Sequence, residues 1–216
     1  AVVKIDPDIP LDIASLIGCG VMTGAGAALN TAKVTPGSSV IVYGAGGVGI
    51  AAIQGARIAG AAEIVAVDLN DEKLNDARRF GATHAVKPED VDAAKLEITG
   101  GDGFDFALEC IGRPLTMRAS YDAIRRGGTA CIVGVGRAEE MVEFSAFELF
   151  FMEKTLVGSY YGGTDVRSDF HKLLRLYKQG QLDLEGMITR RIKIDEINPA
   201  LEAVRNGEVI RQVIEF

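Results

Sequence analysis

The amino-acid sequence predicts an α/β protein built on a doubly wound, six-stranded parallel sheet with helices on both faces. Three observations carry that expectation. Strand patterns alternate with helical ones from Val40 to Tyr160, and right-handed crossovers between parallel strands leave such a chain little other choice. The first strand, Val40-Ile41-Val42-Tyr43, runs straight into Gly44-Ala45-Gly46-Gly47-Val48-Gly49 and then into the helical stretch Ile50–Ala59. The next strand, Glu63–Val67, ends on Asp68, nineteen residues beyond Gly49.

A G-x-G-x-x-G turn between a strand and a helix is suited to holding a pyrophosphate. Gly44 permits the tight turn, Gly46 lets the backbone approach the phosphates, and Gly49 lets the helix pack close to the sheet. The N–H groups of the helix's first turn, and its dipole, then face the diphosphate. An acid placed like Asp68 accepts from a ribose 2′-hydroxyl and repels a 2′-phosphate, and the following Leu69-Asn70 offers no arginine to balance it. This is a dinucleotide site of the Rossmann type, and the cofactor expected is NAD rather than NADP.

The elements follow in order. Ala1–Leu11 is an extended lead-in punctuated by Pro7 and Pro10. Asp12–Gly20 is a short helical turn closing on Gly18-Cys19-Gly20, and Met22–Lys33 is a separate helix with Thr23 near its N-cap. Thr35–Ser38 is a turn. Beyond Asp68 come a helix over Asp71–Phe80 stopped by Gly81, a brief strand at His84–Val86 and a helix over Glu89–Ile98. Phe104–Cys110 is the next strand, followed by a helix over Pro114–Arg126 ended by Gly127-Gly128. Thr129–Val135 is a further buried strand, Phe144–Met152 a short helix, and Thr155–Tyr160 the sixth and outermost strand. Helices over Asp165–Gln179 and Asn198–Asn206 and a strand over Val209–Phe216 are not needed to complete the sheet, and are expected to pack on something else.

Composition narrows the function classes. The 216 residues are 48% hydrophobic, enough for one good core or one domain with an appendage. A net charge of −7 and a pI near 5.0 argue against a nucleic-acid partner. The apolar stretches look interrupted short of a membrane span, the N-terminus shows no signal-peptide pattern, and three cysteines form no disulfide framework. A cytoplasmic protein with no membrane partner is the expectation.

Further segments fall in one order and spacing: Gly18-Cys19-Gly20-Val21-Met22-Thr23-Gly24, Val67-Asp68, Asp71-Glu72-Lys73-Leu74, Phe80-Gly81-Ala82-Thr83, Glu109-Cys110-Ile111-Gly112-Arg113, Ile132-Val133-Gly134-Val135, and the ending Ile210–Phe216. With the glycine-rich turn, they resemble the coenzyme-binding half of the zinc-dependent, medium-chain alcohol dehydrogenases. The flavour is similar to the glutathione- or mycothiol-dependent formaldehyde dehydrogenase branch. The resemblance implies three parts: residues 1–22 as a remnant of a catalytic domain, 23–161 as the dinucleotide-binding domain, and 162–216 as a segment returning to the catalytic domain. That domain, with two further zinc ligands, the proton relay and a structural zinc loop, is expected to lie outside these 216 residues.

The resemblance also implies roles. Cys19 matches a catalytic zinc ligand, and Thr23 packs under the nicotinamide while Val48 backs its ring. Asp68 and Lys73 match contacts to the adenosine ribose. Ile111 and Arg113 lie where the cofactor crosses the sheet, and Arg211 matches a basic residue on the pyrophosphate. Val133, Ser159 and Tyr161 match backbone positions that hold the carboxamide, and Val135 and Tyr160 face the substrate pocket. The adjacent pair Tyr160-Tyr161 is bulkier than that pattern expects. No catalytic residue is expected within this chain, and zinc only together with the further domain. A homodimer through strand 155–160 is implied as well, since an apolar edge left open invites pairing.

By chemistry alone Cys19 is a single thiol between glycines, which a small core residue would satisfy equally. Cys110 and Cys131 lie in strand patterns and read as core; His84 and His171 are isolated. No Ser/His/Asp or Cys/His nucleophile arrangement stands out. Three functions remain open at this stage. The first is an oxidoreductase moving a hydride between NAD and an alcohol or aldehyde–thiol adduct. The second is a zinc-free quinone or enone reductase, and the third a stand-alone NAD-binding module.

Overall fold

Val40, Ile41 and Val42 are each fully buried, and their side chains alternate between two separate apolar clusters. A strand so covered on both faces must lie in the middle of its sheet. It does. In the computed structural model, which describes residues 2–216, β1 (Ser39–Tyr43), β2 (Glu63–Val67), β3 (His84–Val86), β4 (Phe104–Glu109), β5 (Ile124–Ile132) and β6 (Thr155–Gly158) pair in the order β3-β2-β1-β4-β5-β6. Every pairing is parallel. The chain reverses its direction of travel between β1 and β4, and the crevice beyond the carboxyl ends of those strands is where such sheets bind ligands.

One face of the sheet is covered by α1 (Leu11–Thr31), α2 (Gly47–Ile58), α3 (Asp71–Arg79) and α7 (Val166–Lys178). The other is covered by α4 (Val91–Thr99) and α5 (Pro114–Ala123). The short α6 (Ala146–Phe151) is opened by a capping box at Ser145 and Glu148. Arg118 of α5 grips Glu148 and Asp122 and lies over the rings of Tyr121 and Phe144. That guanidinium holds the Glu148 carboxyl down at about 2. Beyond the sheet, β7 (Ile188–Ile192), α8 (Ile197–Arg205) and β8 (Arg211–Ile214) follow, with β7 and β8 forming a small parallel pair of their own.

Several expectations differ from the structure. Gly18-Cys19-Gly20 does not end a helix, and Thr23 is no N-cap: α1 runs unbroken from Leu11 to Thr31, through wide π-turns at Ile17–Val21 and Ala27–Thr31. Burial of Ile17, Val21 and Met22 overrides the weak helix preference of the glycines. The same helix runs through the boundary expected after residue 22. With a mean hydropathy of 1.4 it is also long and apolar enough by composition to cross a membrane, although two thirds of that stretch is buried inside the protein.

Helix α5 stops at Ala123 rather than Arg126. Ile124 already pairs with Phe104, and Arg125–Gly128 bulge out before Thr129 pairs with Phe106. The strand β7 was not legible, because Thr189, Arg190 and Arg191 are exposed in succession and show no period-two alternation. Finally, β6 ends at Gly158, and Ser159-Tyr160 lead into a turn at Tyr161–Gly163.

Helix α1 packs on α2 through absent side chains. A Cβ on Gly24 would lie 2.1 Å from the Val48 carbonyl oxygen, and one on Gly55 would lie 2.9 Å from the Ala25 backbone. Helix propensity alone favours Gly24→Ala by up to about 1 kcal/mol, whereas forcing a methyl onto rigid backbone costs about 1–3 kcal/mol. The clash wins. Gly24→Ala is expected to lower the unfolding free energy measured by urea titration by a net of up to about 2 kcal/mol; a stabilised variant would mean that the two helices do not meet there.

Candidate dinucleotide site

The site is built at the carboxyl end of β1. Gly44 turns the chain at φ +91°, and its N–H donates to Val67 O at 2.8 Å, which fixes the end of β1 against β2. A Cβ on Gly49 would lie 1.7 Å from the Gly44 carbonyl oxygen, so only glycine lets α2 start this close to the strand. Gly46 differs from both: nothing lies within 4 Å of where its Cβ would be. Its bare backbone faces open space, and no side chain caps the N-terminus of α2. The N–H groups of that first turn are thus free for an anion.

Arg211, the first residue of β8, supplies the charge. Its guanidinium lies between Gly20 and Gly47, within 2.2 Å of where a Cβ on either would stand. Among the described residues no carboxylate pairs with it, and burial pulls its pKa below the ordinary arginine value. A partly buried, unpaired cation set against the positive end of a helix is a site for a negatively charged group.

Asp68 closes the other end. Its Oδ2 accepts from Ala45 N–H at 2.8 Å and its Oδ1 from Asn70 N–H at 3.0 Å, which orients the carboxylate while leaving each oxygen a lone pair. Asn70 cannot compete for a ligand, because its side chain caps α3 through the N–H groups of Glu72 and Lys73. Lys73 itself stands on the first turn of α3, with its Nζ close to Gly207. Lys87 was not anticipated. It reaches the Leu69 carbonyl at 2.6 Å and Asp71 at 2.8 Å, so this cation beside Asp68 is already engaged.

Glu109, at the end of β4, was also missed. It is fully buried, and its Oε1 accepts from Ile111 N–H at 3.0 Å, Gly112 N–H at 2.8 Å and the Thr116 hydroxyl at 2.7 Å. This carboxylate folds the loop that presses Ile111 against Gly44 and projects Arg113 to the surface. The available signal was an acid ending an otherwise apolar strand. Across the crevice Val133 is buried while Val135 and Tyr160 are almost wholly exposed. Ser159 is buried, donates its N–H to Ile132 O at 2.8 Å, and shares a hydroxyl contact of 2.9 Å with Thr31. Tyr161 adopts φ +53°, a left-handed conformation costing about 1–3 kcal/mol outside glycine.

The structure therefore gathers the glycine-rich turn, Arg211 and Asp68, with Thr23 beside Gly24 where α1 crosses the Val48 carbonyl. Val135 and Tyr160 are exposed to solvent. Cys19 is the exposed one of the three cysteines, on the first wide turn of α1. No group of three His, Cys, Asp or Glu side chains converges among the described residues. A catalytic zinc needs about three protein ligands, so the described residues do not by themselves form a zinc site. A broad cleft of about 890 Å³ runs between α1 and β8, is lined by Cys19, and shares Gly20 and Arg211 with the anion site.

Residues 47–179 match the family model described as zinc-binding dehydrogenase. The chain is 42% identical over 223 aligned residues to the S-(hydroxymethyl)glutathione dehydrogenase of Saccharomyces cerevisiae, an alignment covering 99% of this chain and 57% of that protein. It superimposes on benzyl alcohol dehydrogenase from Acinetobacter calcoaceticus with a TM-score of 0.94 at 35% identity, covering 99% of this chain and 59% of the other. It is also similar, with a TM-score of 0.78 at 27% identity, to a zinc-binding dehydrogenase from Sinorhizobium meliloti solved with NADP, covering 91% of this chain and 57% of that one. The chain spans a little over half the length of these relatives. With its glycine-rich turn, parallel sheet and matched sequence, it belongs to the zinc-binding dehydrogenase family.

Proposed function

We propose that this chain is the NAD-binding part of an oxidoreductase that moves a hydride between the cofactor and a small alcohol or an aldehyde–thiol adduct. The observation that carries this is Arg211, unpaired, set against the uncapped N-terminus of α2 beside the open face of Gly46. The pyrophosphate would rest there, on the N–H groups of α2 and the guanidinium. Asp68 would accept from the adenosine ribose with Lys73 alongside. Ile111 and Arg113 would flank the crossing of the sheet. Thr23 and Val48 would back the nicotinamide, with the backbone of Val133, Ser159 and Tyr161 orienting its carboxamide. Val135 and Tyr160 would line the substrate side. When bound, the nicotinamide supplies the hydride chemistry; the protein binds it, orients it and keeps its reactive face toward the substrate.

The substrate class is inferred from the relatives, which act on S-(hydroxymethyl)glutathione and benzyl alcohol by name. A second proposal, favoured by the lone Cys19, is that these residues alone bind NAD without zinc and leave alcohol turnover to a further domain. On that view residues 1–22 and 162–216 are the segments that join it, around a dinucleotide-binding domain at 23–161. A cytoplasmic setting fits the low, unpaired cysteine count.

Cofactor choice gives the first test. Two like charges about 4 Å apart near a surface repel by about 1–4 kcal/mol, so Asp68 is expected to favour NAD over NADP by about tenfold to several-hundred-fold. Titration calorimetry with both cofactors measures this, and Asp68→Asn should narrow the gap; equal affinities in the unaltered chain would remove the assignment.

The exposed edge gives another. Strand β6 is the last of the sheet, Leu156 is 43% exposed on it, and Phe147 and Phe150 of the preceding α6 are exposed as well. We infer a homodimer in which two copies of β6 pair. Light scattering at micromolar concentration should give twice the chain mass, and Leu156→Lys should return it to monomer. A dimer unmoved by that charge would lie elsewhere.

A further inference from the structure

Around the first wide turn of α1 three groups meet that are far apart in sequence. Cys19 is carried on the turn, the Arg211 guanidinium reaches Gly20, and the Tyr161 hydroxyl donates to the Gly18 carbonyl. The last contact is the least expected. Tyr161, Gly162 and Gly163 are three successive left-handed residues, at φ +53°, +73° and +58°. The two glycines adopt that conformation freely; the tyrosine does so only because its surroundings impose it.

Those surroundings are α1 itself. A Cβ on Gly162 would stand 2.2 Å from the Met22 carbonyl oxygen, and the Thr164 hydroxyl donates to Tyr161 O at 2.8 Å. At the second wide turn, Asn30 Nδ2 donates to Gly162 O at 3.4 Å, and Thr31 contacts the Ser159 hydroxyl. The segment after β6 is thereby fastened to both wide turns of one helix. Among the described residues, only the Tyr161 side chain makes the fastening at the turn that carries Cys19. Phenylalanine would fill the same space and lose the hydrogen bond.

We propose that Tyr161 is a positioning residue: its hydroxyl locks the Cys19 turn of α1 to the backbone of Ser159–Tyr161, so that the two move as one body. The tether follows from the contacts alone. Its consequence for the cofactor rests on the function proposed above, in which that backbone holds the nicotinamide end.

The test compares the 216-residue chain with Tyr161→Phe. Hydrogen–deuterium exchange should quicken several-fold in peptides spanning Ile17–Thr23, with β1 and β4 unchanged. NAD affinity should fall about three- to tenfold, while ADP-ribose, which lacks the nicotinamide, binds as before. Unaltered exchange at Ile17–Thr23 overturns the tether. Faster exchange everywhere, or equal weakening of both nucleotides, overturns the positioning role in favour of a general loss of stability. If the unaltered chain binds neither nucleotide, the proposed function fails while the exchange measurement still decides the tether.

Discussion

Two positive ends face each other across Gly47, and among the described residues no carboxylate lies between them. The N-terminus of α2 carries about half a charge and the Arg211 guanidinium a whole one. A few ångströms apart in partly buried surroundings, they repel by about 1–2 kcal/mol. The fold also accepts the loss of hydration that lowers the arginine's pKa. An arrangement that disfavours the free protein suits a preformed anion site, because a diphosphate between the two positive groups is attracted to both and outweighs their repulsion. Glycine at positions 20 and 47 is the steric condition, since a side chain at either would occupy the guanidinium's space.

The same economy of side chains organises the helices on that face. Gly49 brings α2 against the end of β1, Gly24 brings α1 onto the first turn of α2, and Gly162 brings the turn after β6 onto α1. Each contact is backbone on backbone, so movement at one is transmitted to the next with little slack. The crevice between β1 and β4 is thus walled by rigid main chain. Its polar groups are fixed beforehand, Asp68 by two N–H groups and the Ile111 loop by the buried Glu109.

Much of this was legible in the sequence because local chemistry dictates it. The turn at Gly44–Gly49 needs positive φ and close approach, and Asp68 ends a strand whose burial its β-branched residues announce. Parallel strands read as continuous apolar runs, so β1, β2 and β4 were placed to within a residue or two. What escaped depends on distant partners. Gly18 and Gly20 read as a helix stop, yet Ile17 and Val21 on either side are buried and the helix continues through them. The strand β7 exists because β8 lies beside it, and its own residues carry no alternation. Glu109 looked like a strand-end acid until the loop closed on it. Tyr161 was expected to serve through its backbone; its hydroxyl matters through a carbonyl 143 positions away.

Among the described residues Cys19 finds no companion zinc ligands. The proposed dinucleotide contacts are different, because this chain carries all of them, on α1, the parallel sheet with its loops, and the strand that bears Arg211. Calorimetric titration with ADP-ribose, run on the chain and on Arg211→Met beside their thermal melts, tests this most directly. The account predicts that the variant binds at least about tenfold more weakly, as loss of a charged hydrogen bond worth about 1.5–3 kcal/mol requires, yet melts no lower than the parent because an unpaired cation has been removed. Undiminished affinity, or a loss of affinity matched by a loss of stability, would contradict it.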